Sequence, residues 1–152
     1  MLRDAVRRCG GRTVDAHGDE LLGVFERAAP AIQTAVDIQR VFRGRAWPED
    51  LDVRIRAGIH IGRPTLTDSG YVGLSVHTVA RVCFVGHGGQ ILISDKTKAA
   101  VQRSVPPGMR FRSLGRHRLV GLPQPQRLYQ VEARGLLVRF PPLRTAATSP
   151  VD

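Results

Sequence analysis

Few residues in this chain of 152 have both the type and the setting to do chemistry. Asp19 follows Gly18 at the bend between two strand-like runs, residues 13–16, which alternate, and residues 21–25, which are apolar. A carboxylate on a hairpin tip is well placed to ligate a hard, oxygen-seeking cation such as Mg2+. The same Gly-Asp pair is equally an ordinary turn former. His77 and Arg81 stand four residues apart in a helical pattern, so they share a face beside the expected apolar stripe of Val76, Val79, Ala80 and Cys83. His60 points away from the alternating stripe Val53, Ile55, Ala57, Ile59 and Ile61, which makes it a polar residue on the far face rather than a ligand. Cys9 and Cys83 fall in predicted helices without metal-ligand spacing and read as buried free thiols.

The elements that must hold these residues alternate between helix and strand. A helix over residues 2–9 is stopped by Gly10-Gly11, and the 10–25 hairpin follows it. An amphipathic helix over 28–44 carries Ala31, Ala35, Ile38 and Phe42 on one stripe. A strand over 51–62, a polar loop over 63–70 and the helix of His77 and Arg81 come next. A buried strand at 90–94 then leads into a short helix capped by Ser94-Asp95. Two closing strands, 111–119 and 128–131, flank a turn at Gly121-Leu122-Pro123. Residues 1–133 form one domain on this reading, and 134–152 an extended or disordered tail.

A hydrophobic content of 42% supports a real core, and no apolar run approaches the roughly 20 residues that cross a bilayer. No signal segment opens the chain, so the expected location is cytoplasmic. The formal charge of +10 raises the question of nucleic acid. The arginines are dispersed and aromatic residues are few, so a basic nucleic-acid-associated module is kept as an alternative on charge alone.

Five blocks, GGRTVDAHGDELLGVF, VRIRAGIHIG, GYVGLSVHTVAR, HGGQILIS and LGRHRLVGLPQPQRLYQV, occur here in an order and spacing that resembles the class III nucleotide cyclase domain. The resemblance implies an α+β, ferredoxin-like sheet with helices on one side. It also implies a shortened N-terminus, because the family's first strand, with a metal-binding aspartate, precedes the helix at residues 2–9. FPPLRT further resembles a linker that follows cyclase domains in bacterial regulators containing an ATPase and a DNA-binding domain.

In that family two aspartates hold two Mg2+ or Mn2+ ions, which bind the triphosphate of ATP or GTP and activate the ribose 3′ hydroxyl for in-line attack. Asp19 matches the second of these aspartates. Arg81 matches the residue that steadies the phosphoryl charge, and His77 stands where an asparagine orients the ribose. Asp15 and Gly70 occupy the base-selecting positions; Asp15 can only accept hydrogen bonds, which points weakly toward guanine or toward a pocket that selects nothing. Val120 replaces a triphosphate-binding lysine, with Arg116 or Arg118 as nearby substitutes. The resemblance therefore implies a degenerate, catalytically impaired cyclase domain acting in cyclic-nucleotide signalling, as a homodimer or with another cyclase chain. The alternative is an active adenylate or guanylate cyclase completed by a partner.

Overall fold

The computed structural model describes residues 2–17, 20–68 and 70–145, without the side chains of residues 15–17. The chain opens with helix α1 (Leu2–Arg8), whose Ala5 and Val6 are buried. Strands β1 (Arg12–His17) and β2 (Glu20–Val24) then pair antiparallel, with His17 opposite Glu20 across the bend. Helix α2 (Ala28–Gly44) leads through a loop to β3 (Ala57–Ile59). Thr65–Thr67 (β4) and Gly70–Val72 (β5) form a small hairpin where the sequence reads as a polar loop. Helix α3 (Leu74–Phe84), β6 (Ile91–Ser94), α4 (Asp95–Val101), β7 (Met109–His117) and β8 (Gln126–Ala133) complete the order.

The main sheet has the order β3-β6-β8-β7, with β3 parallel to β6 and the other pairs antiparallel. Strand alternation divides its side chains between two cores. Ile91, Ile93 and Val131 pack with Ile32, Ala35 and Val36 of α2 and Val101 of α4. Leu92 and Leu128, one residue out of phase, pack on the other face with Val82 and Val85. Gly58 lies opposite Leu92, and a Cβ there would stand 2.6 Å from the backbone nitrogen of Cys83, so α3 rests directly on β3. The expectation of helices on one side thus holds for α2 and α4, whereas α3 takes the opposite face.

Two helical stripes also differ from their sequence reading. The buried face of α2 is Ile32, Ala35, Val36 and Gln39, one position on from the stripe through Ala31 and Ile38. Gln39 is tolerated there because its Nε2 donates to Ile55 O at 2.6 Å. In α3 Thr78 and Val82 are buried and Ala80 is exposed, because Thr78 returns its hydroxyl to Leu74 O and so passes as apolar. The expected long strand over 51–62 shortens to three residues, since only 57–59 find a partner in β6. Both cysteines are free and half-buried rather than buried.

Beyond β8 the chain has no regular secondary structure through residue 145, yet it packs on the domain. Leu136 joins the α2–α4 core and Leu143 packs against the α3 core. Residues 146–152 of the expected tail lie outside the described residues.

Candidate functional site

The elements carrying the candidate residues touch one another in series. Strand β1 meets β5, and β5 runs through Gly73, which has φ +117°, into the first turn of α3. Val14, next to Asp15, approaches Gly70: its Cγ1 lies 3.9 Å from where a Cβ of Gly70 would be. Arg12 Nη2 donates to the Tyr71 hydroxyl at 2.7 Å and ties the same two strands together. The two positions implied for base selection, Asp15 and Gly70, therefore come from adjacent strands. Gly70 has φ +116°, a conformation that suits glycine alone, so the backbone itself departs from one that would carry an aspartate or threonine.

His77 and Arg81 follow on α3, one turn apart and both half-buried. The turn after β7 closes on this helix. Leu119 is buried in the α3 core, Leu122 N donates to Leu119 O at 3.1 Å, and Gly121 adopts φ +79°. A Cβ on Gly121 would lie 2.7 Å from His77 Nε2, so the imidazole rests against the glycine backbone. Val120, one residue before it, is 59% exposed. The structure thus brings His77 and the 119–122 turn together, with Arg81 one turn further along α3, and Gly121, read from sequence only as a turn residue, is the point of contact. Its positive φ was foreshadowed by the Gly-Leu-Pro turn pattern; its contact with His77 had no sequence signal.

Arg81 has no side-chain hydrogen bond or ion pair among the described residues, which leaves its guanidinium available to an anion. Arg116 pairs with Arg127 across β7 and β8 and therefore shares the face of Tyr129 and Val131, opposite to α3. It does not substitute for a cation at Val120. Arg118 lies beyond the end of β7 and is exposed.

Asp19 lies outside the described residues, as does the side chain of Asp15. Among the described residues no three His, Cys, Asp or Glu side chains gather into a metal-binding group. The described residues alone do not assemble a donor set for Mg2+ or Mn2+.

Elsewhere the polar groups are structural. His60 Nδ1 lies 2.7 Å from Ser94 Oγ, which also meets Thr97 Oγ1 at 2.9 Å, so Ser94 spends its hydroxyl on these neighbours rather than on capping α4. Burial, and then the charge of Lys96, lower the pKa of His60. Burial chiefly raises the Cys83 thiol, and the carboxylate of Glu20, at the hairpin tip, adds to the rise. On the outer part of the sheet the buried Glu132 receives Arg110 Nε and Arg112 Nε, each at 3.0 Å, together with Gln130 Nε2 at 3.1 Å.

No family model matches the chain. An uncharacterized protein of Mycobacterium tuberculosis is 37% identical over 135 residues, covering 89% of this chain and 45% of its own length. The chain spans about half the length of the curated relatives it matches. Among solved structures, an adenylate/guanylate cyclase/hydrolase from Silicibacter pomeroyi superposes with a TM-score of 0.78 at 28% identity, over 88% of this chain and 79% of that one. An adenylate cyclase from Trypanosoma brucei gives a TM-score of 0.80 at 22% identity, over 95% and 80%. No helix among the described residues is long and apolar enough to cross a membrane. With these superpositions over most of its length, the chain has the fold of the class III adenylate/guanylate cyclase domains, which are its structural neighbours.

Proposed function

We propose that this chain is a nucleotide-binding, cyclase-like domain of cyclic-nucleotide signalling whose own turnover is impaired. The observation that carries this reading is the meeting of α3 with the 119–122 turn. It sets the imidazole of His77 against Gly121, next in the chain to an exposed Val120 where a cation for the triphosphate is expected, with the unpaired guanidinium of Arg81 one turn further along α3. Arg81 can bind a phosphoryl oxygen, and His77 can hydrogen-bond a sugar hydroxyl from whichever ring nitrogen faces it. Valine neutralises nothing, and Gly70 offers no side chain to a base. Such a ridge holds ATP or GTP by part of the molecule and discriminates poorly between the two.

A divalent ion, Mg2+ or Mn2+, would be held by Asp19 together with oxygen ligands from outside the described residues. Val72 and Leu74, which are 43% and 62% exposed, lie at the end of β5 and in the first turn of α3, leading into the helix that carries His77 and Arg81. An apolar surface of this kind is covered when a second chain docks, which supports a homodimer or a pair with another cyclase chain. That partner is also the source of missing ligands in the alternative reading, an enzyme active only as part of a pair.

The test is titration of the purified, folded chain with ATP and with GTP, by calorimetry in the presence of Mn2+ or by 31P spectra in the presence of Mg2+. Both nucleotides are expected to bind within about tenfold of each other. Arg81→Ala is expected to weaken both by roughly ten- to a hundredfold, the value of a charge-assisted hydrogen bond of about 1.5–3 kcal/mol. Absence of saturable binding, or binding indifferent to Arg81→Ala, contradicts the proposal.

A further inference from the structure

We infer that residues 136–145 are a latch that positions the 119–122 turn and the C-terminal half of α3, so that the seating of this segment governs the candidate site from outside it. The segment is fastened at three points. Gln130, whose Oε1 accepts from the buried Gln90 Nε2, donates from its own Nε2 to Val138 O at 2.9 Å. His87 Nε2 donates to Pro142 O at 2.9 Å, while its Nδ1 accepts from Arg144 Nε at 3.3 Å. Arg144 N donates to Val85 O at 2.8 Å, on the residue that ends α3.

Between these bonds Leu143 packs against the cluster built from Val82, Val85, Leu119 and Leu128, and so does Leu122. One small apolar cluster is therefore shared by the latch, by α3 immediately after Arg81, and by both ends of the turn that places Gly121 against His77. Side chains in contact within one cluster hold one another in place, so loss of the Leu143 wall is transmitted to the residues that pack beside it. Lifting Leu143 removes support from Leu119 and Leu122 together, and the contact between Gly121 and His77 depends on that turn. Leu143 and His87 are positioning residues: neither reaches the His77–Arg81 ridge by any contact described above, and both act through the cluster.

A second feature marks the latch as separable from the fold. His117 is 95% buried, its Nε2 donates to Leu114 O at 2.8 Å, and its Nδ1 has no partner. It borders a cavity of about 490 Å³ between the sheet and residues 138–143. This space is open to solvent on one side and Leu143 also lines it, so residues 138–143 cover a groove rather than continue the dense core.

The effect on nucleotide handling rests on the function proposed above, but the mechanical coupling does not. Hydrogen exchange on the full chain reads the coupling directly in peptides spanning 74–86 and 117–123, for His87→Ala, for Leu143→Ala and for the unaltered protein. Release of the latch is expected to raise exchange at least tenfold at the Arg144 amide, which donates to Val85 O, and in both of those peptides, and to leave α2 and α4 unchanged. Faster exchange confined to the Arg144 amide overturns the inference. Val36→Ala, which weakens the opposite core, is the control: if it opens 117–123 as strongly as Leu143→Ala, the effect is general loss of stability and the inference fails. Should His87→Ala not fold, Leu143→Val gives the same comparison with a smaller perturbation. Nucleotide titration of the same variants is read separately, so a chain that binds no nucleotide still reports whether the latch moves the turn.

Discussion

Gly121→Ala tests the geometry of the site through a single methyl group. Two effects act at this position. With φ +79° the residue lies in the left-handed region, where a Cβ costs roughly 1–2 kcal/mol. The new methyl would also stand 2.7 Å from His77 Nε2, closer than carbon and nitrogen tolerate, so the imidazole must rotate away or the turn must shift. The first effect is intrinsic to the backbone; the second needs His77. In the parent protein the substitution is expected to cost about 2–3 kcal/mol, which for a domain of this size lowers Tm by roughly 4–12 °C. In a His77→Ala background it is expected to cost only the backbone part, leaving a coupling of at least about 0.5 kcal/mol between the two positions. Thermal and urea unfolding of the four proteins measures that coupling. Equal losses in both backgrounds would refute the contact between the turn and α3, and with it the assembly of the site.

Other consequences follow from the packing. Gly58→Ala places a methyl 2.6 Å from the backbone nitrogen of Cys83, where no side chain can yield, so it is expected to cost about 3 kcal/mol and to lower Tm more than Gly44→Ala, which meets nothing within 4 Å. Replacing Arg110 and Arg112 together by alanine leaves Glu132 with only Gln130 as a side-chain partner, and because both arginines are largely exposed a loss of roughly 1–2 kcal/mol is expected by urea unfolding, against a smaller loss for either single change. His60 has a folded pKa below its ordinary value of 6.5, so the unfolded chain binds the proton more readily. Its contribution to stability is therefore full above that value and is lost as pH falls through the lower folded pKa. Urea midpoints taken from pH 7.5 to 5 are expected to fall less steeply for His60→Gln than for the parent.

The fold was legible where a local pattern reports a global arrangement. The alternation in residues 13–16 and the apolar run at 21–25 mark a hairpin because both strands are short and the bend lies between them. Periodicity failed where a polar residue satisfies itself locally: Thr78 and Gln39 are buried because one bonds its own helix and the other a loop carbonyl, and neither bond is visible as hydropathy. The face taken by α3 was illegible for a different reason, since it is decided by which parity of β6 and β8 meets Val82, a long-range fact. Family resemblance supplied Asp15, Gly70, His77, Arg81 and Val120, and the described structure gathers His77, Arg81 and Val120 on two touching elements. Gly121 as the point of contact, and the packing of residues 136–145 onto the same cluster, come only from the assembled chain.

The most direct measurement is cyclic-nucleotide formation by the folded chain with Mn2+, using ATP and GTP separately, beside Asp19→Ala and Arg81→Ala. Each missing electrostatic stabiliser costs on the order of 10² in rate, though such losses do not simply add. Product at the level of both variants is the predicted result. Turnover that either substitution abolishes would contradict the impaired reading and make the chain an active cyclase.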